Sequence, residues 1–166
     1  MAHLQLAKII QGTKFEVFDY ATHPGNMPEQ LAGVIEVKWQ NPGVHVQAGA
    51  EFLFLMSRFG VEQPVRFIVE KVIAGNSLTY RQMSGVFARL THTMKFEEHG
   101  QGDTLITDLV EYELPFGLLG RIADDFIIRR DLKFIFEKRL ERMQSHFREL
   151  KEAKKPAESQ SVGATT

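Results

Sequence analysis

Residues 87–114, FARLTHTMKFEEHGQGDTLITDLVEYEL, decide the fold because they hold two strand patterns and the turn between them. Side chains of a strand alternate between its two faces. One face of the first strand is apolar apart from a single histidine: it carries Ala88, Leu90, His92, Met94 and Phe96. The opposite face carries charged and hydroxyl side chains, which is typical of a surface in contact with water. The stretch therefore predicts an antiparallel hairpin with a buried inner face.

The histidine on this inner face has an acidic partner in the second strand. If the hairpin turns near Gly100, the pairing places His92 directly opposite Asp108. In the same register, Leu90 lies opposite Val110. Isolated ionisable groups are costly to bury, whereas paired ones are tolerated. We therefore predict a buried imidazole–carboxylate pair, and this pair is the best indication of a site.

The composition is that of a soluble globular protein, and it excludes several kinds of site. Of the 166 residues, 43% are hydrophobic and 25% are charged, and the net charge of -1 gives no reason to expect a nucleic-acid partner. The absence of cysteine excludes disulfides, zinc–thiolate sites and cysteine nucleophiles. No apolar run approaches the roughly 20 residues that span a bilayer, so we expect no stable membrane insertion. The N-terminus lacks signal-peptide features, and we predict a cytoplasmic location.

Further patterns complete an α+β order of elements. A short apolar run at 3–11 predicts a first strand, and Thr13 with Glu16 forms the capping-box pattern of a helix over 13–22. A helical turn is expected over 27–32. Four more runs predict strands: GVIEVKWQ at 33–40, EFLFLMSRF at 51–59, PVRFIVEKVI at 64–73 and LTYRQMS at 78–84. Tight turns between the later strands predict an antiparallel sheet.

The last part of the chain predicts one long helix. From Leu118 to about Ala153 there is no proline, and about 35 helical residues span on the order of 50 Å. An apolar stripe in its second half predicts packing on the sheet: Phe136, Leu140, Met143, Phe147 and Leu150. The first half is apolar over a wider arc, which either only packs on the sheet or also roofs a cavity. We predict one domain over residues 1–152 and a disordered tail at 153–166.

Two stretches of the chain resemble a known family: LTHTMKFEEHGQGDTLITDLVEYELPFGLLG at 90–120, and IFEKRL at 135–140 in the long helix. They are similar to the START-like or Bet v 1-like superfamily, also called SRPBCC, and specifically to its polyketide cyclase/dehydrase and lipid-transport branch. The similarity is strong over about 86–147, and the order of elements extends it to roughly 3–150. It implies the helix-grip fold, in which a curved antiparallel sheet wraps around a long C-terminal helix, with two short helices after the first strand.

The resemblance also implies a deep apolar cavity between the concave face of the sheet and the long helix. Members of the family bind lipids, hormones, polyketides or quinones, and some catalyse cyclisation and dehydration. The side chains expected to line the cavity are Trp39, Phe54, Met56, Phe67, Tyr80, Leu90, His92, Met94, Asp108, Tyr112, Leu119, Ile122, Ala123 and Phe126. The apolar ones could equally belong to a filled core, and the two tyrosines could be core residues whose hydroxyls reach water.

His92 and Asp108 are also the candidate catalytic residues. Asp108 would orient the imidazole, and the remaining ring nitrogen would bind a ligand or act as a general acid or base. The alternative is a structural pair that fixes the strand register, since neither a serine nor a cysteine nucleophile is evident beside it. Arg58, at the end of an apolar strand, would either meet a ligand carboxylate or phosphate or remain solvated.

We predict neither a metal site nor a cofactor. The six histidines form no i, i+4 pair and no HExxH motif, and the chain has no glycine-rich phosphate loop. Basic residues of the long helix alternate with acidic ones, which predicts an ordinary solvated face: Arg129, Arg130, Lys133, Lys138, Arg139 and Arg142.

Three functions remain open, in the following order. The first is a binding protein for a small apolar or amphipathic ligand, because an apolar inner face with few polar groups is typical of ligand pockets. The second is a cyclase- or dehydratase-like enzyme that uses His92 with Asp108, helped by Tyr80 or Tyr112 polarising a carbonyl. The third is an interaction module, such as a homodimer, whose apolar surface contacts a partner chain.

Overall fold

One antiparallel sheet provides the surface on which the rest of the chain packs. The computed structural model describes residues 1–115 and 122–155, and of residues 122–125 it describes the backbone alone. The strands in these ranges are β1 Ala2–Ile10, β2 Glu36–Trp39, β3 Glu51–Arg58, β4 Val61–Ile73, β5 Ser77–Ser84, β6 Arg89–His99 and β7 Asp103–Glu113. They form a sheet with the spatial order β1-β7-β6-β5-β4-β3-β2, and every neighbouring pair is antiparallel.

The β6–β7 hairpin forms as predicted, but its register lies two residues away from the predicted one. His92 pairs with Val110 rather than with Asp108. The turn explains the shift, because His99 pairs with Asp103 and the loop is therefore centred one residue later than we expected. Glycines with positive φ of 59° and 85° stand at both ends of this loop. A shift of two residues leaves each side chain on its own face, so His92 and Asp108 remain on the buried side as diagonal neighbours.

Two short helices follow β1 and cover part of the inner face. They are α1, Lys14–Thr22, and α2, Met27–Gln30, joined by a 3₁₀ turn at Pro24–Asn26. The predicted capping box is confirmed: the Thr13 hydroxyl accepts a bond from the Glu16 amide, and the Glu16 carboxylate accepts one from the Thr13 amide. Phe18 of α1 then packs edge-on against Phe96 of β6, with ring centroids 5.2 Å apart. The cap thus starts the helix at the point from which it can reach the sheet.

The long helix α3, Ile122–Ala153, packs on the inner face of the sheet and completes the helix-grip fold. Most of its predicted stripe is buried: Phe136, Leu140, Met143 and Phe147. Leu150, in contrast, is 41% exposed near the end of the helix. The wider arc predicted for the first half is only partly buried, since Phe126 and Ile127 are 70% and 60% exposed. At about 100° per residue, Ile127 lies opposite the buried stripe and Phe126 lies well to one side of it.

Candidate functional site

A cavity lies between the inner face of the sheet and α3. Its volume is about 390 Å³, near the lower end of the range found for small-molecule sites. Most of its lining is apolar and comes from three elements of the fold: Met56, Val65, Phe67 and Leu90 from the sheet, Leu132, Ile135 and Phe136 from α3, and Met27 from α2. The sheet and the helix therefore do not fill the space between them completely.

A second, much smaller hole lies next to this cavity, and Tyr80 borders both spaces. Its volume is about 30 Å³, which is room for about one water molecule. Phe67 and Arg139 also border both spaces, whereas Phe54 and Met94 line only the smaller one. Tyr80 and Arg139 are therefore the ionisable groups at the inner end of the cavity.

Behind the cavity wall, a series of polar side chains forms one hydrogen-bonded cluster. The Tyr80 hydroxyl lies 2.5 Å from His92 Nδ1, and His92 Nε2 lies 2.8 Å from Asp108 Oδ1. Asp108 Oδ2 accepts a bond of 2.9 Å from Arg139 Nη1, and Arg139 Nε donates to Gln30 Oε1 at 3.0 Å. His92 and Asp108 are fully buried, and Arg139 is only 6% exposed. The predicted imidazole–carboxylate pair is thus present, as part of a larger cluster.

The strand register places the members of this cluster side by side. Tyr80 on β5 pairs directly with His92 on β6, and the two rings meet edge-on with centroids 4.9 Å apart. Asp108 on β7 reaches His92 diagonally, because diagonal neighbours on one face of a sheet remain within reach of long side chains. Phe136 of α3 covers the imidazole from the helix side, with ring centroids 4.8 Å apart. The imidazole is therefore held on several sides and has little freedom to reorient.

Burial and pairing together set the charge state of the cluster. Burial raises the pKa of the Asp108 carboxyl, but the Arg139 guanidinium and His92 oppose it, and the net shift of that pKa is downward. Burial lowers the pKa of His92, because loss of solvation outweighs the attraction of Asp108. Burial also raises the pKa of the Tyr80 hydroxyl. At neutral pH, Asp108 and Arg139 are therefore charged, while His92 and Tyr80 are neutral.

The ionised Asp108 also fixes the tautomer of His92. A carboxylate only accepts hydrogen bonds, so His92 Nε2 carries the hydrogen and donates it to Asp108. In a neutral imidazole the other nitrogen is an acceptor, and the Tyr80 hydroxyl therefore donates to His92 Nδ1. Tyr80 is thus linked through the imidazole to a buried carboxylate, an arrangement that can move a proton away from a group in the cavity.

Arg139 is the member of the cluster whose prediction was wrong. Charge alternation along the helix predicted a solvated position, whereas the side chain is buried and bonded to Asp108. Helical spacing does not show this, because Arg139 lies beside the buried stripe, whereas Arg129 and Lys133 lie at least as close to the line of the stripe and are exposed. Gln30 is also buried, at 2% exposure, and no pattern in the sequence marks it.

The other predicted lining residues divide between the cavity wall and the core. Met56, Phe67 and Leu90 border the cavity itself. Trp39 and Tyr112 are absent from its described lining. Trp39 Nε1 instead donates to the Asn41 side chain at 3.0 Å, and Tyr112 is buried edge-on against Phe87 with centroids 5.7 Å apart. For these two aromatic residues, the packing alternative therefore agrees with their position.

Four predicted lining residues come from the start of α3 and the segment before it. Phe126 is 70% exposed and is absent from the described lining, because its position on the helix lies well to one side of the buried stripe. Three predicted lining side chains lie outside the described part of the structure: Leu119, Ile122 and Ala123. The predicted tail at 153–166 also lies mainly outside the described residues, which end at residue 155.

An ion pair and exposed apolar side chains flank the cavity mouth. Arg58 on β3 forms a bidentate pair with Asp131 on α3, and Arg58 Nη2 lies 2.7 Å from Asp131 Oδ1. Arg58 is thus neither a solvated strand end nor an unpaired cation waiting for a ligand anion. Three lining side chains on this side are strongly exposed: Phe59 at 87%, Val61 at 58% and Val86 at 53%. The cavity therefore opens to solvent past an apolar rim that one ion pair crosses.

Neither a metal site nor a membrane-crossing helix is found in the described residues. No group of three or more histidine, cysteine or acidic side chains there could hold a metal ion. The helices of residues 1–115 and 122–155 include none that is both long and apolar enough to cross a bilayer.

We expect Arg139→Met to be strongly destabilising, because it leaves the buried Asp108 carboxylate without its cation. Removing one partner of a buried ion pair costs about 3–5 kcal/mol. Arg142→Met is the matched control, since Arg142 is exposed on the same helix and its replacement should change the free energy of unfolding by less than about 0.5 kcal/mol. Urea denaturation of the two variants measures the difference. Equal losses would contradict a stabilising role for the Arg139–Asp108 pair.

The lowered pKa of His92 predicts an acid-sensitive stability. At a pH below 6.5, the ordinary pKa of histidine, His92 is protonated in the unfolded chain but is still neutral in the folded protein. The free energy of unfolding therefore falls as the pH falls. The free energy of unfolding falls by up to about 1.4 kcal/mol per pH unit until the pH reaches the pKa of His92 in the folded protein. Urea denaturation from about pH 7.5 to about pH 5 measures it. His92→Gln should show a shallower slope, and identical slopes would mean that folding does not lower this pKa.

Solved structures of other proteins share this fold at low sequence identity. The di-domain ARO/CYC protein StfQ of the steffimycin biosynthetic pathway aligns with a TM-score of 0.70 and 14% identity, covering 90% of this chain but only 51% of StfQ. The protein TTHA0849 from Thermus thermophilus has a TM-score of 0.65 and 17% identity, covering 87% of this chain and 99% of that one. Major latex-like protein 151 from Panax ginseng has a TM-score of 0.66 and 14% identity, covering 88% of this chain and 97% of that one.

The sequence itself identifies the family. No curated protein matches the chain. In contrast, the family model described as polyketide cyclase / dehydrase and lipid transport matches residues 1–148. That range includes every strand of the sheet and nearly all of α3. The chain therefore belongs to the polyketide cyclase / dehydrase and lipid transport family.

Proposed function

We propose that this protein binds a small hydrophobic or amphipathic molecule, such as a lipid, a quinone or a polyketide-like compound, between the sheet and α3. The observation that carries the proposal is an apolar cavity of about 390 Å³ with polar groups at its inner end. Small-molecule sites combine mainly apolar walls with a few polar groups that fix orientation. Tyr80 and Arg139 stand where such groups are needed.

The size of the cavity favours a compact ligand. Small-molecule sites range from about 300 to 1,000 Å³, so 390 Å³ suits a ring system or a short chain better than a two-chain lipid. Burial of apolar ligand surface supplies about 25 cal/mol per Å², and this is the main source of affinity in such a site. The exposed apolar rim at Phe59, Val61 and Val86 offers a ligand its first contacts on entry.

The cytoplasmic location and the homodimer expected from the sequence remain predictions.

Filling the cavity should abolish binding without unfolding the protein. Val65→Trp adds a large side chain to the cavity wall, whereas Ile68→Trp places the same side chain on the outer face of the same strand. We expect saturable binding of fatty acids, quinones or aromatic polyketide-like compounds by the wild type and by Ile68→Trp, with a loss of at least about tenfold for Val65→Trp, or about 1.4 kcal/mol. Native mass spectrometry detects the bound compound, and isothermal titration calorimetry measures the affinity of each variant. Equal binding by both variants would place the ligand elsewhere.

The hydrogen-bonded cluster favours a second function, a cyclase- or dehydratase-like reaction in the same cavity. As a substrate gives a proton to the Tyr80 oxygen, the Tyr80 proton would pass to His92 Nδ1, and Asp108 would stabilise the resulting imidazolium. The geometry supporting this is the pair of contacts at 2.5 Å and 2.8 Å on the two nitrogens of one ring. Both functions use the same ligand class, so only turnover separates them.

The enzymatic alternative predicts that His92 is required for turnover. General acid–base catalysis contributes about 10²–10⁴-fold, so His92→Gln should lower the rate with a poly-β-ketone thioester analogue by at least about 100-fold. His99→Gln is the matched control because His99 is exposed at the end of β6, outside the cavity. Product formation followed by mass spectrometry gives both rates. Undiminished turnover in the His92 variant removes His92 from the mechanism, and no turnover by the wild type leaves ligand binding alone.

A further inference from the structure

The polarity of the cavity's inner end is decided by one tyrosine side chain. Tyr80 borders the cavity, and its hydroxyl lies 2.5 Å from His92 Nδ1. The ring of Tyr80 is fixed between Phe67 and His92, both edge-on, with centroids 5.1 Å and 4.9 Å away. The Tyr80 hydroxyl is therefore a positioned group, and a ligand group that reaches its oxygen can bond to it only as a donor or as an acceptor.

Arg139 does not turn this end of the cavity into an anion site. Four of the five N–H groups of its guanidinium already have an acceptor in the protein: Nε bonds Gln30 Oε1, one hydrogen of Nη1 bonds Asp108 Oδ2, and Nη2 contacts the Ala21 carbonyl at 3.4 Å and Met94 Sδ at 3.0 Å. The charge of Arg139 is also matched by the carboxylate of Asp108 at 2.9 Å. A ligand carboxylate here would bring a second negative charge without a cation of its own. This position therefore favours a ligand with a neutral polar end over one with a carboxylate.

The hydrogen bonds of the cluster run in one direction, from the cavity towards the ion pair. Asp108 can only accept, so His92 Nε2 donates to it and His92 Nδ1 is left as an acceptor. The hydrogen of the Tyr80 hydroxyl is then used in the bond to His92 Nδ1. What the Tyr80 oxygen has left for a ligand is a lone pair. It accepts a hydrogen bond from a ligand and has no hydrogen left to donate.

We propose that Tyr80 selects ligands whose buried end carries a hydroxyl hydrogen, as in an alcohol, a phenol or a hydroquinone, over a ketone, quinone or ether of the same size. This inference rests on the proposed ligand-binding function and narrows its ligand class. A carbonyl oxygen placed against Tyr80 would meet another lone pair. Turning the Tyr80 hydrogen towards that carbonyl would leave the buried Nδ1 of His92 without a donor, and unsatisfied buried acceptors are costly.

The test compares three probes of nearly equal shape that differ at one substituent: β-naphthol, its methyl ether and the corresponding naphthaldehyde. Isothermal titration calorimetry gives their affinities for the wild type, for Tyr80→Phe and for Tyr20→Phe. Tyr20 borders a separate surface depression beside His146, so its variant removes a tyrosine hydroxyl that the cavity does not use. We expect the wild type and Tyr20→Phe to bind the naphthol about tenfold more tightly than the ether or the aldehyde. In Tyr80→Phe the three affinities should become equal.

The outcomes separate this inference from the function on which it rests. Equal binding of all three probes by the wild type, or tighter binding of the aldehyde, overturns the selectivity and leaves ligand binding intact. Binding of none of them overturns both. A preference that survives in Tyr80→Phe overturns the assignment to Tyr80.

His92 acts here as a positioning residue, and its role has an independent readout. Nitrogen-15 NMR of the wild-type protein should show a hydrogen on His92 Nε2 and none on Nδ1, unchanged when the naphthol is added. This measurement does not depend on the folding of any variant. A hydrogen on Nδ1 would reverse the direction of the bond to Tyr80 and overturn the proposal.

Discussion

The interaction on which the rest of this structure depends is the burial of Asp108 between a histidine and an arginine. One oxygen of the carboxylate accepts from His92 on the neighbouring strand, and the other accepts from Arg139 on α3. A buried carboxylate is tolerated only when its hydrogen-bonding capacity is met, so neither partner can be removed cheaply. The same contacts tie the sheet to the helix. Because apolar packing alone is not directional, this cluster gives the helix one preferred position over the sheet.

That fixed position helps to explain why the interior is not filled. A closed, dry void of about 390 Å³ would cost on the order of 9 kcal/mol at about 24 cal/mol per Å³, which is comparable to the whole stability of a domain. A cavity open at its mouth escapes part of this cost, because water or a ligand can enter past Phe59 and Val86. A helix that rested on apolar contacts alone could settle closer to the sheet. With Arg139 anchored to Asp108 and Arg58 paired to Asp131, the helix is held at two points of its length.

Much of this architecture could be predicted from the sequence because it depends on local sequence patterns. The alternation in residues 87–114 gave the faces of β6 and β7, and Thr13 with Glu16 marked the start of α1. The register was wrong by two residues because the loop geometry, with a positive-φ glycine at each end, is not determined by side-chain alternation. Alternation has a period of two, so it cannot distinguish registers that differ by two.

The parts of the site that were missed depend on contacts between distant residues. Arg139 and Gln30 are separated by 109 positions along the chain, and Arg139 and Asp108 by 31. Nothing local distinguishes Arg139 from the other basic residues of α3, since Arg129 and Lys133 lie at least as close to the line of the buried stripe and are exposed. The predicted His92–Asp108 pair was found because both residues lie on one hairpin. The third partner, and with it the charge balance of the site, required the packed helix.

The fold and the chemistry of this protein therefore have different requirements. Structures with 14–17% identity to this chain keep the same architecture, which needs an apolar inner face and an apolar helix stripe but few particular residues. The cavity's polarity, in contrast, depends on an ordered series of bonds in which Asp108 and Arg139 determine which nitrogen of His92 carries the hydrogen, and His92 determines what Tyr80 presents to a ligand. A substitution at Asp108 would invert the preference proposed for Tyr80 without changing a single side chain of the apolar wall. The proposed ligand choice would thus depend on His92 and Asp108, which are absent from the described lining, so the lining alone is a poor guide to it.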